Sequence, residues 1–281
     1  MKVTTRARRI VDRCTPQAAV LYRRYRDSHT RYKHPAITPW GFSLYGPPGL
    51  GASRQSSHEA DLFLDLIGQT DRLIDVGANV GLFTILAASK GVPVSAVEPS
   101  PMNLAQLYRN LRLNQSEGVE VFPVAASDCC GLAELYGGGQ GASLRPQWGG
   151  MAATYSNLVP AHTLDGLFAD RLQSQRLLIK IDAEGMEFPI LRGADRLLAA
   201  DPSPTWIIEV GLTENFDGQV NPDFIAIFDL FWKHGYTSWC VEQPGRPVER
   251  NDVTAWVARG DRGFWNINYL FRPWPSKSKS R

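Results

Sequence analysis

The sequence predicts an α/β protein built on a doubly wound, mostly parallel sheet, and three observations predict it. First, the stretch LIDVGANVGLF (Leu73–Phe83) runs apolar residues into an acid and then into two glycines separated by ANV. That is the pattern of a strand that stops abruptly and turns into a helix. Second, from Leu73 onward short apolar runs alternate with segments of helical periodicity, the rhythm of strand–helix–strand crossovers. Third, no Pro/Gly-rich linker divides the 281 residues, so one domain with helices on both faces of the sheet is expected.

Each element follows in order. Gly41–Pro48 (GFSLYGPP) reads as a strand and turn, and Asp61–Ile67 as a short helix leading into the fold. Leu73–Val76 is the first inner strand, Gly81–Lys90 a helix and Val94–Val97 the second strand. Ser100 caps the next helix, with Pro101 at its first position. Leu104, Leu107, Tyr108 and Leu111 then fall on one helical face, which predicts that this face is buried. Glu120–Ala125 is the third strand. The glycine-rich Gly137–Ala142 (GGGQGA) interrupts the rhythm, and the flanking LAELY and ASL can pair as a hairpin. Leu177–Ile181 is the fourth strand, Phe188–Ala200 a helix and Thr205–Val210 the fifth strand. Asn221 and Pro222 start a helix with Phe224, Ile227, Phe228 and Phe231 on its core face and Gly235 as its stop. Thr237–Val241 and Asn266–Phe271 finish the sheet.

Composition narrows the class. A 43% hydrophobic content supports a sizeable core, and no apolar run approaches the length of a membrane span. The four cysteines (Cys14, Cys129, Cys130, Cys240) show neither a disulfide framework nor metal spacing, which fits a reducing, cytoplasmic compartment. The net charge of +2 conceals an asymmetry: residues 1–34 carry ten Lys/Arg against Asp12 and Asp27, and the remainder is net acidic. This segment lacks an apolar core of signal-peptide type. It reads as a basic helix packed through Ile10, Val11, Val20, Leu21 and Tyr25, or as a contact for an anionic membrane surface or acidic partner. No basic stripe elsewhere points to nucleic acid. The expected organisation is a basic extension over 1–34, a catalytic domain over 35–273 and a disordered tail over 274–281.

The opening stretch also constrains the cofactor. Asp75, Gly77 and Gly81 are spaced D-x-G-x-x-x-G, which differs from the G-x-G-x-x-G dinucleotide fingerprint. Asn79 takes the middle place and tolerates a left-handed turn, while Gly77 lets something approach the backbone. An acid at the strand end repels a pyrophosphate but suits a cation. S-adenosylmethionine (SAM) carries an ammonium and a sulfonium and no phosphate, so it is favoured over a nicotinamide dinucleotide. Glu98 ends the second strand seventeen positions after Gly81, where a carboxylate can accept from both ribose hydroxyls. Ser127 and Asp128 end the third strand; Asp128 can accept from the adenine amino group or simply close a turn.

These residues, together with KIDAEGMEFPILRGA (Lys180–Ala194), resemble the FkbM-type family of SAM-dependent O-methyltransferases. The resemblance runs through DVGANVG, VEPSP, Asn110, Leu111 and Asn114, the TLD at Thr163–Asp165, Lys180, Asp182, Glu184, Gly185 and Glu187, and IIE at Ile207–Glu209, over roughly residues 59–211. It implies the seven-stranded class I methyltransferase sheet with an antiparallel last strand. It also implies SAM as methyl donor and an acceptor hydroxyl on a sugar, glycolipid or polyketide-like small molecule. A non-catalytic SAM-binding module and an NAD-linked oxidoreductase are the alternatives.

Methyl transfer to an alcohol is an in-line displacement that needs alignment and a proton acceptor. Lys180 and Asp182 share one strand face by the period of two, and Asp182 and Glu184 lie at the crevice end. Asp182 can orient the acceptor hydroxyl or the methionine ammonium, Glu184 or Glu209 can take the proton, and Lys180 can set their charge. In the structural alternative, Lys180 and Glu187 form ion pairs and Glu184 caps the following helix. Asp182 and Glu209 can also imitate a Mg²⁺ site of catechol-type enzymes, although no metal is expected. His162 is a further candidate base. Gly46–Gly51 and Gly137–Gly141 are candidate lids, and Trp40, Tyr45, Trp148 and Tyr155 can stack on a sugar ring or pack within the protein.

Overall fold

The computed structural model describes residues 34–46, 50, 54–150 and 156–273. The basic helix expected before residue 34 and the tail after 273 lie outside the described residues. A two-stranded ribbon, β1 (Ala36–Ile37) and β2 (Ser43–Leu44), precedes α1 (Arg54–Ile67), which starts earlier than the pattern predicts. Then follow β3 (Arg72–Val76), α2 (Leu82–Ala88), β4 (Val94–Val97), α3 (Pro101–Leu113) and β5 (Glu120–Phe122). Three short strands come next: β6 (Ala125–Ala126), β7 (Gly131–Tyr136) and β8 (Ser156–His162). The chain continues through β9 (Leu177–Ile181), α4 (Glu187–Arg192), α5 (Asp195–Leu198), β10 (Thr205–Glu209) and α6 (Phe224–Lys233). It ends with β11 (Tyr236–Cys240), β12 (Pro247–Val248), α7 (Arg250–Arg259) and β13 (Asn268–Pro273).

The main sheet runs β12-β11-β13-β10-β9-β3-β4-β5. The block from β10 to β5 is parallel, and β13 is antiparallel to both β10 and β11. This is the strand order of a class I methyltransferase, with the antiparallel strand where the resemblance implies it. The sheet has eight strands among the described residues rather than seven, because the two-residue β12 adds to the free edge of β11. The order reverses beside β3, and ligands of such sheets bind outside the carboxyl ends of the strands at that point.

Period-two alternation divides the core. Ile74, Val76, Ile179, Ile181 and Ile208 face α4–α7, while Leu73, Ala96, Leu178 and Ile207 face α1–α3. Asp75, Lys180 and Glu209 continue the second set, so the sheet carries its charges toward the α1–α3 side.

Two local expectations are corrected. LAELY does not pair with ASL as a hairpin: β7 pairs along its length with β8, and Tyr136–Ser143 is only an isolated bridge. The helix expected over Phe188–Ala200 is split at Gly193 into α4 and α5. Gly193 ends α4 and packs closely there, since a Cβ on it would lie 2.2 Å from the Ser127 carbonyl oxygen. Ser100 caps α3 as expected, accepting from the Asn103 N–H at 3.5 Å.

Gly193→Ala is therefore expected to cost about 1–3 kcal/mol through overpacking. Thermal unfolding should fall by about 2–4 °C per kcal/mol lost, and a variant that melts with the wild type contradicts this packing.

Candidate active site

The carboxyl ends of β3, β4, β9 and β10 open onto one cleft with a cavity of about 300 Å³. Its walls include Gly77, Asn79, Glu98, Asp182, Glu184 and Glu209. The size is at the lower end for small-molecule sites.

The turn after β3 is built against the end of β9. Asp182 N–H donates to the Val76 carbonyl at 3.0 Å, and Gly77 N–H donates to the Val97 carbonyl at 2.9 Å. Gly77 adopts a left-handed φ of 81°, and a Cβ there would sit 1.9 Å from the Asp182 carbonyl oxygen. The group that approaches Gly77 is thus the backbone of Asp182, so the glycine locks two strand ends together. Gly81 serves packing, because a Cβ there would lie 2.6 Å from Leu107 Cδ1. Asn79 is left-handed, with φ 54°.

Glu98 organises the donor end. Its Oε2 accepts the Asn79 N–H at 2.8 Å, and its Oε1 accepts the Ser100 N–H at 2.8 Å and Asn103 Nδ2 at 3.2 Å. Burial pushes Glu98 up to about 7, against the pull of those three donors. Asn79 Oδ1 is buried without a hydrogen-bond partner. An acceptor in that state suits a ligand that brings donors.

At the other end the charge accumulates. Lys180 is buried, with Nζ 3.4 Å from Glu59 and 3.3 Å from Asp182 and 4.6 Å from the centre of the Phe83 ring. Burial alone would lower this lysine, but the carboxylates of Asp182, Glu59, Asp75 and Glu209 outweigh it and the net shift is upward. Glu209 is raised well above its usual range by burial and by Asp182. Burial and Asp182 raise Glu184 to about 7, while the indole N–H of Trp148 pulls the other way. That N–H donates to Glu184 Oε2 at 2.7 Å, and Ser143 Oγ donates to the Glu184 carbonyl at 2.7 Å. Asn103 Nδ2 also donates to the Gly139 carbonyl at 3.1 Å. The segment from Gly139 to Trp148 is thereby tied to both ends of the cleft.

Several expectations change. Asp75 is not among the lining residues. It is fully buried behind the wall, opposite Lys180 in the sheet register, and its Oδ2 accepts the Thr84 hydroxyl at 2.6 Å. Ser127 and Asp128 also stand outside the lining; Ser127 Oγ donates to Asp128 at 3.2 Å, and Asp128 pairs with Arg192. Glu184 does not cap α4, which begins after Met186. Glu187 does not pair with Lys180; it accepts the N–H groups of Ala183 and Gly185 at 3.3 and 3.1 Å. His162 lies outside the cleft, with Nδ1 3.1 Å from the Thr163 carbonyl. Trp40 stacks on Phe42 and Tyr45 carries Arg109, so both rings have partners within the protein; Tyr155 is outside the described residues. Among the described residues no three His, Cys, Asp or Glu side chains converge as a metal-holding group.

Glu59 was missed by sequence reasoning. Its signal was present, since it lies one helical turn before the buried Phe63 on α1, where an acid needs a partner. Trp148 was singled out only as a ring for stacking or packing; it is buried, and its hydrogen bond to Glu184 had no signal in the sequence.

Residues 75–238 match the family described as "Methyltransferase FkbM domain". The chain belongs to the FkbM methyltransferase family. As a class I member it uses SAM as methyl donor, and the nicotinamide alternative falls away. The cleft fits that donor: Asn79 Oδ1 lacks a partner, Glu98 stands at the strand end, and the opposite end is lined by Asp182, Glu184 and Glu209, acids that suit a cationic ligand.

Solved structures with a similar chain trace include the SAM-dependent methyltransferase from Agrobacterium tumefaciens, at 10% identity and TM-score 0.47, covering 86% of this chain and 70% of that one. Another is the precorrin-6y C5,15-methyltransferase from Geobacter metallireducens GS-15, at 16% identity and TM-score 0.41, covering 70% and 79%. No curated protein matches the chain.

Gly77→Ala is expected to abolish SAM binding in calorimetric titration. The strain alone amounts to about 1–3 kcal/mol, and the added methyl drives the β3 turn off the β9 end. Wild-type affinity in this variant contradicts the lock.

Proposed function

We propose that this FkbM methyltransferase transfers the methyl group of SAM to a hydroxyl oxygen of a sugar, glycolipid or polyketide-like small molecule. The observation that carries the reading is the group of Asp182, Glu184 and Glu209 lining one end of the cleft, with Glu98 and Asn79 at the other. The family resemblance supports oxygen as the acceptor atom.

When bound, SAM supplies an electrophilic methyl group. Glu98 and Asn79 hold the donor end, Glu98 keeping the Asn79 turn in shape. Asp182 is fixed by Lys180 and orients the acceptor hydroxyl beside the donor. Glu184 accepts the hydroxyl proton as the new bond forms. Its ordinary carboxylate range is too acidic for efficient proton transfer near neutrality, and the shift to about 7 improves the match. Lys180 lets several acids coexist at one strand end.

The same reading assigns the enzyme to the cytoplasm, and the free thiols of Cys129 and Cys130 support it. Among the described residues no helix is long and apolar enough to cross a membrane. In this reading the basic segment before residue 34 contributes peripheral contact with an anionic surface or acidic partner.

The direct test is methyl-labelled SAM incubated with the protein and a cell extract, followed by identification of the labelled product. Label on a hydroxyl oxygen is expected; label on nitrogen or carbon, or no labelled product, overturns the reading. Asp182→Ala should cut turnover by about 10²–10⁴ while SAM affinity holds; equal loss of both removes the orienting role. Turnover should fall as pH drops through about 7, where Glu184 gains its proton. Trp148→Phe removes the donor that favours ionised Glu184, so the acid limb should move to higher pH; an unmoved limb excludes Glu184 as the base.

A further inference from the structure

Trp265 is 91% exposed, the most exposed of the large apolar side chains among the described residues. A bare indole leaves a large apolar face in water. Its position is set by the sheet. Asn268 lies opposite Glu209 in the β10–β13 register, and Val210 N–H donates to the Ile267 carbonyl at 2.7 Å. Because the strands are antiparallel, residues before Asn268 project beyond the carboxyl end of β10. Trp265 therefore stands at the edge that carries Asp182, Glu184 and Glu209.

Beside it is a second cavity of about 360 Å³, whose walls include Thr213, Glu214, Asp261, Arg262, Phe264 and Trp265. Leu212, also on its wall, follows Glu209 by three residues, a reach of at most about 10–11 Å of extended chain. The cavity thus lies within one small-molecule length of Glu209, which lines the carboxylate end of the cleft.

Its floor is rigid. The Arg262 side chain is 3% exposed, and its two terminal nitrogens pair with the two oxygens of Glu214, Nη1 to Oε2 at 3.1 Å. Glu214 Oε2 also accepts the N–H groups of Leu212 and Thr213 at 2.8 and 3.1 Å. This ion pair ties the loop after β10 to the loop after α7, which fixes the walls before any ligand arrives.

We propose that this cavity is an outer acceptor subsite, in which a saccharide ring stacks on Trp265 while a neighbouring unit presents its hydroxyl in the cleft. The inference rests on the hydroxyl-acceptor reading above and narrows it to a glycan. A pyranose has an apolar face of C–H bonds and a rim of hydroxyls. Trp265 offers the flat apolar surface, and Thr213 and Asp261 offer a hydroxyl and a carboxylate at its border. Asp261 uses Oδ1 to accept the Gly263 N–H at 2.9 Å. A flat aromatic acceptor would match the indole but leave these polar groups facing apolar edges. The family match ends at residue 238, so Asp261–Trp265 belong to the part of the chain that the family does not specify.

The test uses the full-length protein with SAM and a panel of methyl pyranosides of glucose, galactose, mannose and rhamnose, with their disaccharides. Binding is read by saturation-transfer NMR. At least one disaccharide is expected to bind more tightly than its monosaccharide. Trp265→Ala should weaken that disaccharide by about tenfold or more, while Trp265→Phe retains most of the affinity. SAM affinity should be unchanged in both variants, which shows that the fold is intact. The inference is overturned if no saccharide binds the wild type, or if Trp265→Ala binds the disaccharide as the wild type does. Methylation of a non-sugar hydroxyl without saccharide binding would overturn this subsite and leave the hydroxyl-acceptor reading standing.

Discussion

The ammonium of Lys180 lies buried within the sheet, among Glu59 from α1, Asp75 from β3, Asp182 at the end of β9 and Glu209 at the end of β10. Burying one charge is costly unless it is paired. Here one cation serves four acids, Glu59 from the helix and three that the strand register brings together: Asp75 stands opposite Lys180, Asp182 follows Lys180 by two residues, and Lys180 stands opposite Ile207, two residues before Glu209. Without it, those carboxylates would repel one another at the point where three strands end. Burial raises Glu59 and Asp75, and Lys180 is the largest opposing influence on both. The cleft inherits this arrangement. It presents acids whose charge is only partly compensated to a donor that carries positive charge.

Backbone packing converts the electrostatics into a shaped site. The missing side chain at Gly77 lets the Asp182 carbonyl sit against the β3 turn, so the donor end and the acceptor end share one rigid joint. Trp148 and Ser143 clasp Glu184 from above, and the Trp148 ring covers Gly185, where a Cβ would meet the indole at 2.5 Å. Rigid placement of this kind is what a displacement reaction needs, because alignment can supply about 7–11 kcal/mol of its barrier.

Much of this was legible in the sequence, for physical reasons. The parallel strands are short apolar runs bounded by glycine turns or caps, and period-two alternation places Lys180 and Asp182 together; their 3.3 Å contact follows from it. The same alternation, applied to Leu73 and Asp75, puts Asp75 on the face of Lys180, but it lies inside β3 and is taken by Thr84 of α2, whereas spacing alone reads it as a ligand contact. What escaped was non-local. The pairing of β7 with β8 joins segments about twenty residues apart across a glycine-rich loop. The need for glycine at 193 comes from a carbonyl more than sixty residues away. The added strand β12 is two residues long, below what periodicity resolves. Glu59 is recognised as part of the site only when α1 is laid on β9.

The most direct test of this account is chemical unfolding of Lys180→Met against the wild type at pH 7 and pH 5. The variant keeps a comparable apolar stem and leaves the acids without their cation. Glu59, Asp75 and Glu209, raised by burial, then hold protons in the folded state that the unfolded chain, titrating near 4.5 for glutamate, releases. Stability must therefore fall as the pH rises and recover as it drops. A loss of about 3–5 kcal/mol at pH 7 that shrinks at pH 5 is predicted; equal stability of variant and wild type at pH 7 would contradict the account.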